Sequence, residues 1–249
     1  MRRIIDVRLP APLDRELDQL HQLEITPEGI IRQILPMATG DLTAGESWNG
    51  DWLSPRGIDL QINGGLGLAF PELKPSDLPR LIDLLDQLWA DGVEAIAPTL
   101  VTCGIAPLRQ ALGVLQEARR HEQAGRCRLL GAHLEGPFLA NERRGAHPAE
   151  HLAVPSTKAL DERIGGFETE IALMTLAPEL QGASAVIARL RELGIMVALG
   201  HSAAKADQAA VGFDQGVGML THAFNAMPGL HHRAPGPLGD CLLYTSPSP

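Results

Sequence analysis

GIDLQING, residues 57–64, opens the series that decides the fold class: short apolar segments recur along the chain, each separated from the next by a longer stretch of helical periodicity. After it come VEAIAPT (93–99), RLLGAHLEG (128–136), EIALMTLAPE (170–179), IMVALGHS (195–202) and VGMLTHAFN (217–225). Helices are predicted between them at 78–91, about 107–123, 181–193 and about 203–213, the first with apolar residues at Leu78, Leu81, Ile82, Leu85, Leu88 and Trp89. Six such strands in a row predict a parallel α/β sheet. Right-handed crossovers serve an open doubly wound sheet and most of an eight-stranded barrel equally, and periodicity leaves both open. The connection after the third strand is about 30 residues long and rich in Arg, His, Gly and Pro, which predicts an active-site loop.

Upstream of this series the pattern differs. Residues 1–55 hold β-leaning pieces, RIIDVRL and GIIRQILP, broken by Pro, Gly and the polar stretch DLTAGESWNGD, and predict a small N-terminal β domain. At 249 residues, 45% hydrophobic and 20% charged, the chain can bury a sizeable core, which excludes a disordered or disulfide-stapled class. No apolar run approaches the roughly 20 residues of a membrane helix. A net charge of −9 disfavours nucleic acid and anionic lipid as partners. Asp6 and Arg8 interrupt any apolar run near the N-terminus, so no secretory signal is expected and a cytoplasmic location is the default. Cys103, Cys127 and Cys241 are odd in number and lack CxxC spacing, so a metal would be held by His and carboxylate. Neither GxGxxG nor GxxxxGK[ST] occurs, which leaves nucleotide cradling unsupported.

Polar residues gather where the strands end: Gln61 and Asn63 after the first, His133 and Glu135 after the third, His201 after the fifth and His222 after the sixth. In a barrel those ends form the active face. One carboxylate and two imidazoles from three strand ends are a three-ligand set with a position left for water, as catalytic zinc uses. Singly, a histidine at a strand end is as readily a packed hydrogen-bonding residue, and Glu in Glu-Gly-Pro can serve a turn. His21, His121 and His151 read as surface residues.

GIDLQINGG, GAHLEGPF, GAH at 145–147, LGHS and THAFNAMPGLHHRAPG, in this order and spacing, resemble the N-acetylglucosamine-6-phosphate deacetylase family of the amidohydrolase superfamily over residues 1–239. The resemblance implies a TIM-like barrel with a small β domain, here 1–55 with the barrel over 56–239. It implies metal ligation by Glu135, His201 and His222 and an enzyme that removes acetate from N-acetylglucosamine 6-phosphate. It places His147 against the sugar, and Asn225, the backbone of Ala226 and Arg233 on the phosphate, where an arginine suits bidentate recognition. His231 and His232 match family residues without an assigned role. Gln61 and Asn63 stand where many amidohydrolases carry His-x-His, and neutral amides bind zinc poorly, so a single divalent ion, Zn or Fe, is expected. His133 is expected to pack or support rather than ligate. The implied chemistry is attack of metal-activated water on the acetamide carbonyl, with an aspartate at the end of strand eight as base and then acid. A homodimer is implied as well.

The chain departs from this pattern at its far end. After His222 only 27 residues remain, whereas two further βα units would need about 60 at roughly 30 each. The barrel is therefore expected to be incomplete, about six strands of eight, with unpartnered strand edges. Asp240 follows His222 too closely to be the strand-eight base, and residues 240–249 read as a tail outside the family pattern without helical periodicity. The chain as given is expected to be inactive for want of that aspartate. Two other readings stand beside the deacetylase: another amidohydrolase, such as an N-acetylgalactosamine-6-phosphate deacetylase, and a non-catalytic product that binds metal or sugar phosphate.

Overall fold

The computed structural model describes residues 1–10, 19–38 and 44–245, and these fall into two compact units, Met1–Arg56 and Gly57–Pro249. In the first unit β1 (Arg2–Arg8), β2 (Leu20–Ile25), β3 (Ile31–Pro36) and β4 (Glu46–Ser47) form one sheet in the order β3-β2-β1-β4. The first three pair antiparallel and β4 runs parallel to β1. Ile4, Val7 and Leu23 make its small core. The sequence reading missed β2, since LHQLEI carries a single aliphatic residue between its polar ones to mark a face. Alternation turns His21 inward beside Leu23, so His21 is buried (8% exposed) rather than on the surface, and its Nδ1 has no partner. Residues 41–43 of the polar stretch lie outside the described residues.

The second unit opens with β5 (Gly57–Ile62), a short hairpin of β6 (Gly64–Gly65) and β7 (Leu68–Ala69), and α1 (Leu78–Ala90). There follow β8 (Val93–Val101), α2 (Ile105–Arg119), β9 (Arg128–Leu129), β10 (Ala132–Glu135), α3 (Thr157–Ile164), β11 (Ile171–Leu176), α4 (Ala183–Glu192), β12 (Met196–Leu199), α5 (Ala206–Asp214), β13 (Val217–Leu220) and α6 (Gly236–Thr245). The main sheet has the order β13-β12-β11-β10-β8-β5, with β9 beside β8 and every pairing parallel. This order decides between the two architectures. A doubly wound sheet reverses direction at a switch point, whereas here spatial order follows chain order throughout, which is how a (β/α) barrel winds. The sheet is an incomplete barrel of six main strands, with β5 and β13 as its edges among the described residues and Ile58 and Leu60 of β5 exposed.

The helices cover one face of this sheet. Leu81, Leu84 and Leu85 of α1, Leu108, Leu112 and Leu115 of α2, and Val186, Ile187 and Leu190 of α4 share a core with Ile96, Leu134, Met174, Leu176, Val197 and Leu199 of the strands. The opposite face is layered. Ala97, Leu173 and Ala198 form a separate apolar cluster with Met219 against it. Two residues beyond Ala97, Leu173 and Met219 the side chains turn polar, at Thr99, Thr175 and Thr221.

Three details depart from the sequence reading. The third strand is broken into β9 and β10, because Gly131 (φ 122°) takes a backbone that L side chains avoid, and a Cβ there would lie 2.8 Å from the amide nitrogen of Ala172. The long connection after β10 contains α3, capped by the Ser156 side chain accepting from the Ala159 N–H. The expected loss of helix after Gly239 is corrected: α6 runs on to Thr245, with Leu238 buried in the main core.

Candidate metal centre and active site

The polar layer begins beneath the strand ends. His133 Nδ1 lies 3.1 Å from Thr99 Oγ1 and its Nε2 2.8 Å from Thr175 Oγ1, and Thr175 Oγ1 is 2.6 Å from Thr221 Oγ1. Four strands are thereby joined through one buried chain of hydrogen bonds. Burial lowers the His133 imidazole to about 4, so it is neutral at pH 7, and both its nitrogens are engaged.

One step further toward the strand ends, Glu135 from β10 meets His201, just past β12, and His222, just past β13. His201 Nε2 and His222 Nε2 each lie 3.2 Å from Glu135 Oε1, and the two nitrogens are 3.0 Å apart. Gln61 from β5 donates its side-chain amide to the same oxygen at 3.2 Å. Burial alone would raise the Glu135 carboxyl, but hydrogen bonds from His201 and His222 and the nearby rings of His133 and His147 outweigh it and hold it well below the usual carboxylate range. The hydrogen bond to Glu135 raises the His222 imidazole against its burial.

His147, from the long connection, brings a second imidazole edge to the cluster. Its Nδ1 lies 3.3 Å from the Thr102 backbone nitrogen and 2.9 Å from Thr102 Oγ1, whose hydroxyl donates to the Glu135 carbonyl at 2.9 Å, and its Nε2 is 4.0 Å from Glu135 Oε2. Burial lowers this ring also to about 4, so it is neutral. Glu135, His147 and His201 all present ligand atoms within 4.8 Å of one another. His201 Nδ1 donates to the Arg143 carbonyl at 2.8 Å, which turns its Nε2 toward Glu135 Oε1 at 3.2 Å, whereas His147 Nε2 stands further off, 4.0 Å from Glu135 Oε2.

The Glu135, His201 and His222 atoms fit a divalent cation. Their separations of 3.0 to 3.2 Å are a little under the edge of about 3.3–3.6 Å between ligands of a tetrahedral ion bound at roughly 2.0–2.2 Å. Two ring nitrogens facing each other and one already occupied carboxylate oxygen satisfy one another poorly by hydrogen bonds alone.

The remaining sequence-predicted residues lie at the β13 end. Asn225 N–H donates to the His222 carbonyl at 3.0 Å, and the Ala226 carbonyl accepts from Ser202 N–H at 3.1 Å. Arg233 is exposed, its amide donating to His231 Nδ1 at 3.2 Å, and His231 and His232 stack with centroids 4.3 Å apart. Asn63 contributes its backbone carbonyl to the Phe70 N–H at 3.1 Å. Sequence reasoning missed Thr99, Thr175, Thr221 and Thr102. The first two share the strand alternation that marks His133 and Glu135, a signal that could have found them.

His201 and His222 occupy positive φ (48° and 32°), conformations that cost a non-glycine residue about 1–2 kcal/mol, and Gly200 brings the backbone against two strands. A Cβ at Gly200 would lie 2.7 Å from Thr175 Cγ2 and 2.8 Å from Thr221 Cβ. Gly200→Ala is expected to lower stability by roughly 1–3 kcal/mol through overpacking, read as a fall in the thermal midpoint. An unchanged midpoint would show that the strands give way.

No family model matches the chain. Individual relatives do. The chain is 39% identical over 195 residues to N-acetylglucosamine-6-phosphate deacetylase of Caenorhabditis elegans, which covers 75% of this chain and 46% of the relative. It is 35% identical over 224 residues to N-acetylgalactosamine-6-phosphate deacetylase of Escherichia coli O157:H7, covering 89% of this chain and 56% of the relative. Among solved structures, N-acetylglucosamine-6-phosphate deacetylase from Pasteurella multocida superposes with a TM-score of 0.74 at 27% identity, over 97% of this chain and 62% of that one. The Mycobacterium smegmatis D267A mutant, solved in complex with N-acetyl-D-glucosamine 6-phosphate, gives 0.75 at 28% identity, over 95% and 59%. The chain thus spans about half the length of the curated relatives it matches. Over that length, in sequence and in fold, it belongs to the N-acetylglucosamine-6-phosphate deacetylase family.

Proposed function

We propose that this chain is the metal-bearing part of an enzyme that removes acetate from N-acetylglucosamine 6-phosphate. The observation that carries the reading is the convergence of Glu135 Oε1, His201 Nε2 and His222 Nε2 within 3.2 Å at three strand ends. These residues would hold one divalent ion, Zn or Fe, whose chemistry there is to polarise a carbonyl and to lower the pKa of water to about 7. Gln61 donates to the ligand carboxylate, which supports a single ion over a pair. His147, held at its Nδ1 by Thr102 beside the cluster, is assigned to the sugar. Asn225, the Ala226 backbone and Arg233 are assigned to the phosphate, and the complete enzyme is read as a cytoplasmic homodimer with no nucleic-acid or membrane partner. Among the described residues no helix is long and apolar enough to cross a membrane.

The proton acceptor for the reaction is assigned to an aspartate after an eighth strand, and these 249 residues hold none there: Asp240 lies on α6. A polypeptide of these residues alone is therefore expected to bind zinc yet release no acetate. The test is acetate release from N-acetylglucosamine 6-phosphate by the zinc-loaded chain. Turnover that disappears in Glu135→Ala would overturn the assignment of the base. The galactosamine epimer is the second reading, favoured by the 89% of this chain matched by the Escherichia coli relative. Assaying both epimers with the enzyme encoded by the complete gene separates the two, and turnover of neither would leave a binder of metal or sugar phosphate as the better reading.

A further inference from the structure

Glu179 follows β11 in the MTLAPE segment, and both of its carboxylate oxygens bond to the loop that carries His201. Its Oε2 accepts from Ser202 Oγ at 2.7 Å and its Oε1 from the Ala203 N–H at 2.6 Å. Among the described residues Glu179 forms no ion pair. Two short charge-assisted bonds to adjacent residues are stronger than neutral ones and fix direction as well as position.

The gripped residues are the ones through which the two histidine loops meet. Ser202 is fully buried, its N–H donates to the Ala226 carbonyl at 3.1 Å, and its Oγ accepts the Ala204 N–H at 3.0 Å. Ala226 is itself at positive φ (52°), four residues past His222. His201 is held from its other side by the Ala140 N–H on its carbonyl, at 2.9 Å, and by the Arg143 carbonyl on its Nδ1. Strained residues persist only where their surroundings over-determine them. Glu179 grips both residues that follow His201.

We infer that Glu179 is a positioning residue of the metal centre: through Ser202 and Ala203 it holds His201 Nε2 on the ion and, through the Ser202–Ala226 link, keeps the His222 loop in step. The inference rests on the reading of Glu135, His201 and His222 as ligands. Loss of a group that orients a ligand lowers metal affinity by roughly 10–100-fold.

The experiment measures zinc affinity by competition with a chromophoric chelator, and the d–d absorption of the cobalt-loaded chain, for the parent, Glu179→Ala, Glu179→Gln, Ser202→Ala and Glu135→Ala. Glutamine keeps an oxygen for the Ala203 N–H and offers an amide to Ser202 Oγ. The expected result is a loss of about 10–100-fold with a changed cobalt spectrum in Glu179→Ala, substantial rescue in Glu179→Gln and an intermediate loss in Ser202→Ala. Parent-like affinity and spectrum in Glu179→Ala overturn the inference, as does equal loss in the glutamine variant, which would place the effect in charge rather than geometry. Should Glu179→Ala fail to fold, Ser202→Ala decides: parent-like binding there overturns the inference too. If the parent binds no zinc, the ligand reading itself falls and the positioning role with it. Binding that survives Glu135→Ala has the same meaning.

Discussion

Zinc is expected to raise the thermal midpoint of the 249-residue chain, and Glu135→Ala to remove that response. A ligand that binds only the folded state stabilises it by about 2.7 kcal/mol at a hundred times its Kd. For a chain of this size each kcal/mol moves the midpoint by roughly 2–4 °C, so the shift is roughly 5–11 °C. Glu135 is the only anion of the ligand set, and both histidine nitrogens face its Oε1 at 3.2 Å. Its removal takes away a ligand and the group that draws the two rings together. The loss of affinity should therefore exceed the 10–100-fold that follows loss of an orienting group. Glu135→Gln, which keeps the shape and one oxygen, should bind zinc more weakly than the parent and more tightly than Glu135→Ala. A zinc-induced shift of undiminished size in Glu135→Ala would remove this carboxylate from the site.

Phe138→Ala carries the second large effect, on stability. Phe138 is fully buried in the core between sheet and helices. Its segment also crosses the strand ends: Gly136 N–H donates to the Thr175 carbonyl at 3.0 Å, the Phe138 carbonyl accepts from the Ala177 N–H at 2.8 Å, and Ala140 N–H donates to the His201 carbonyl at 2.9 Å. Truncation loses the buried ring and leaves a cavity, together about 3–5 kcal/mol, a large part of the 5–15 kcal/mol that holds a typical domain. Urea unfolding followed by circular dichroism measures it, with Phe138→Leu as the smaller perturbation. A cost below about 1 kcal/mol for Phe138→Ala would mean that the segment repacks. Because the same segment ties β10 to the His201 loop, Phe138→Ala should weaken zinc binding as well.

The six parallel strands were legible from apolar segments set between helical stretches, since burial on both faces of a parallel strand writes a continuous apolar run. The strand-end residues Glu135, His201 and His222 were legible for the same reason: a polar residue closing such a run is conspicuous. Elements without that contrast were missed. LHQLEI spaces its three aliphatic residues, Leu20, Leu23 and Ile25, without a regular alternation, and α3 is short and lies within a stretch dense in Gly, Pro and His.

The sequence alone determined a chain of successive βα units whose chemistry-bearing side chains stand at strand ends, because alternation and helical period are local properties of neighbouring residues. Only the tertiary structure decided that the strands run in chain order as an open barrel, since strand order is a matter of hydrogen bonds between segments far apart in sequence. It alone brought Thr102 to the Nδ1 of His147, 45 residues away. It also brought Glu179 to the backbone that follows His201, a bond across 24 residues between two loops whose local patterns say nothing of each other. A ring's tautomer and a loop's anchor depend on which distant group supplies the hydrogen bond, and folding chooses that group.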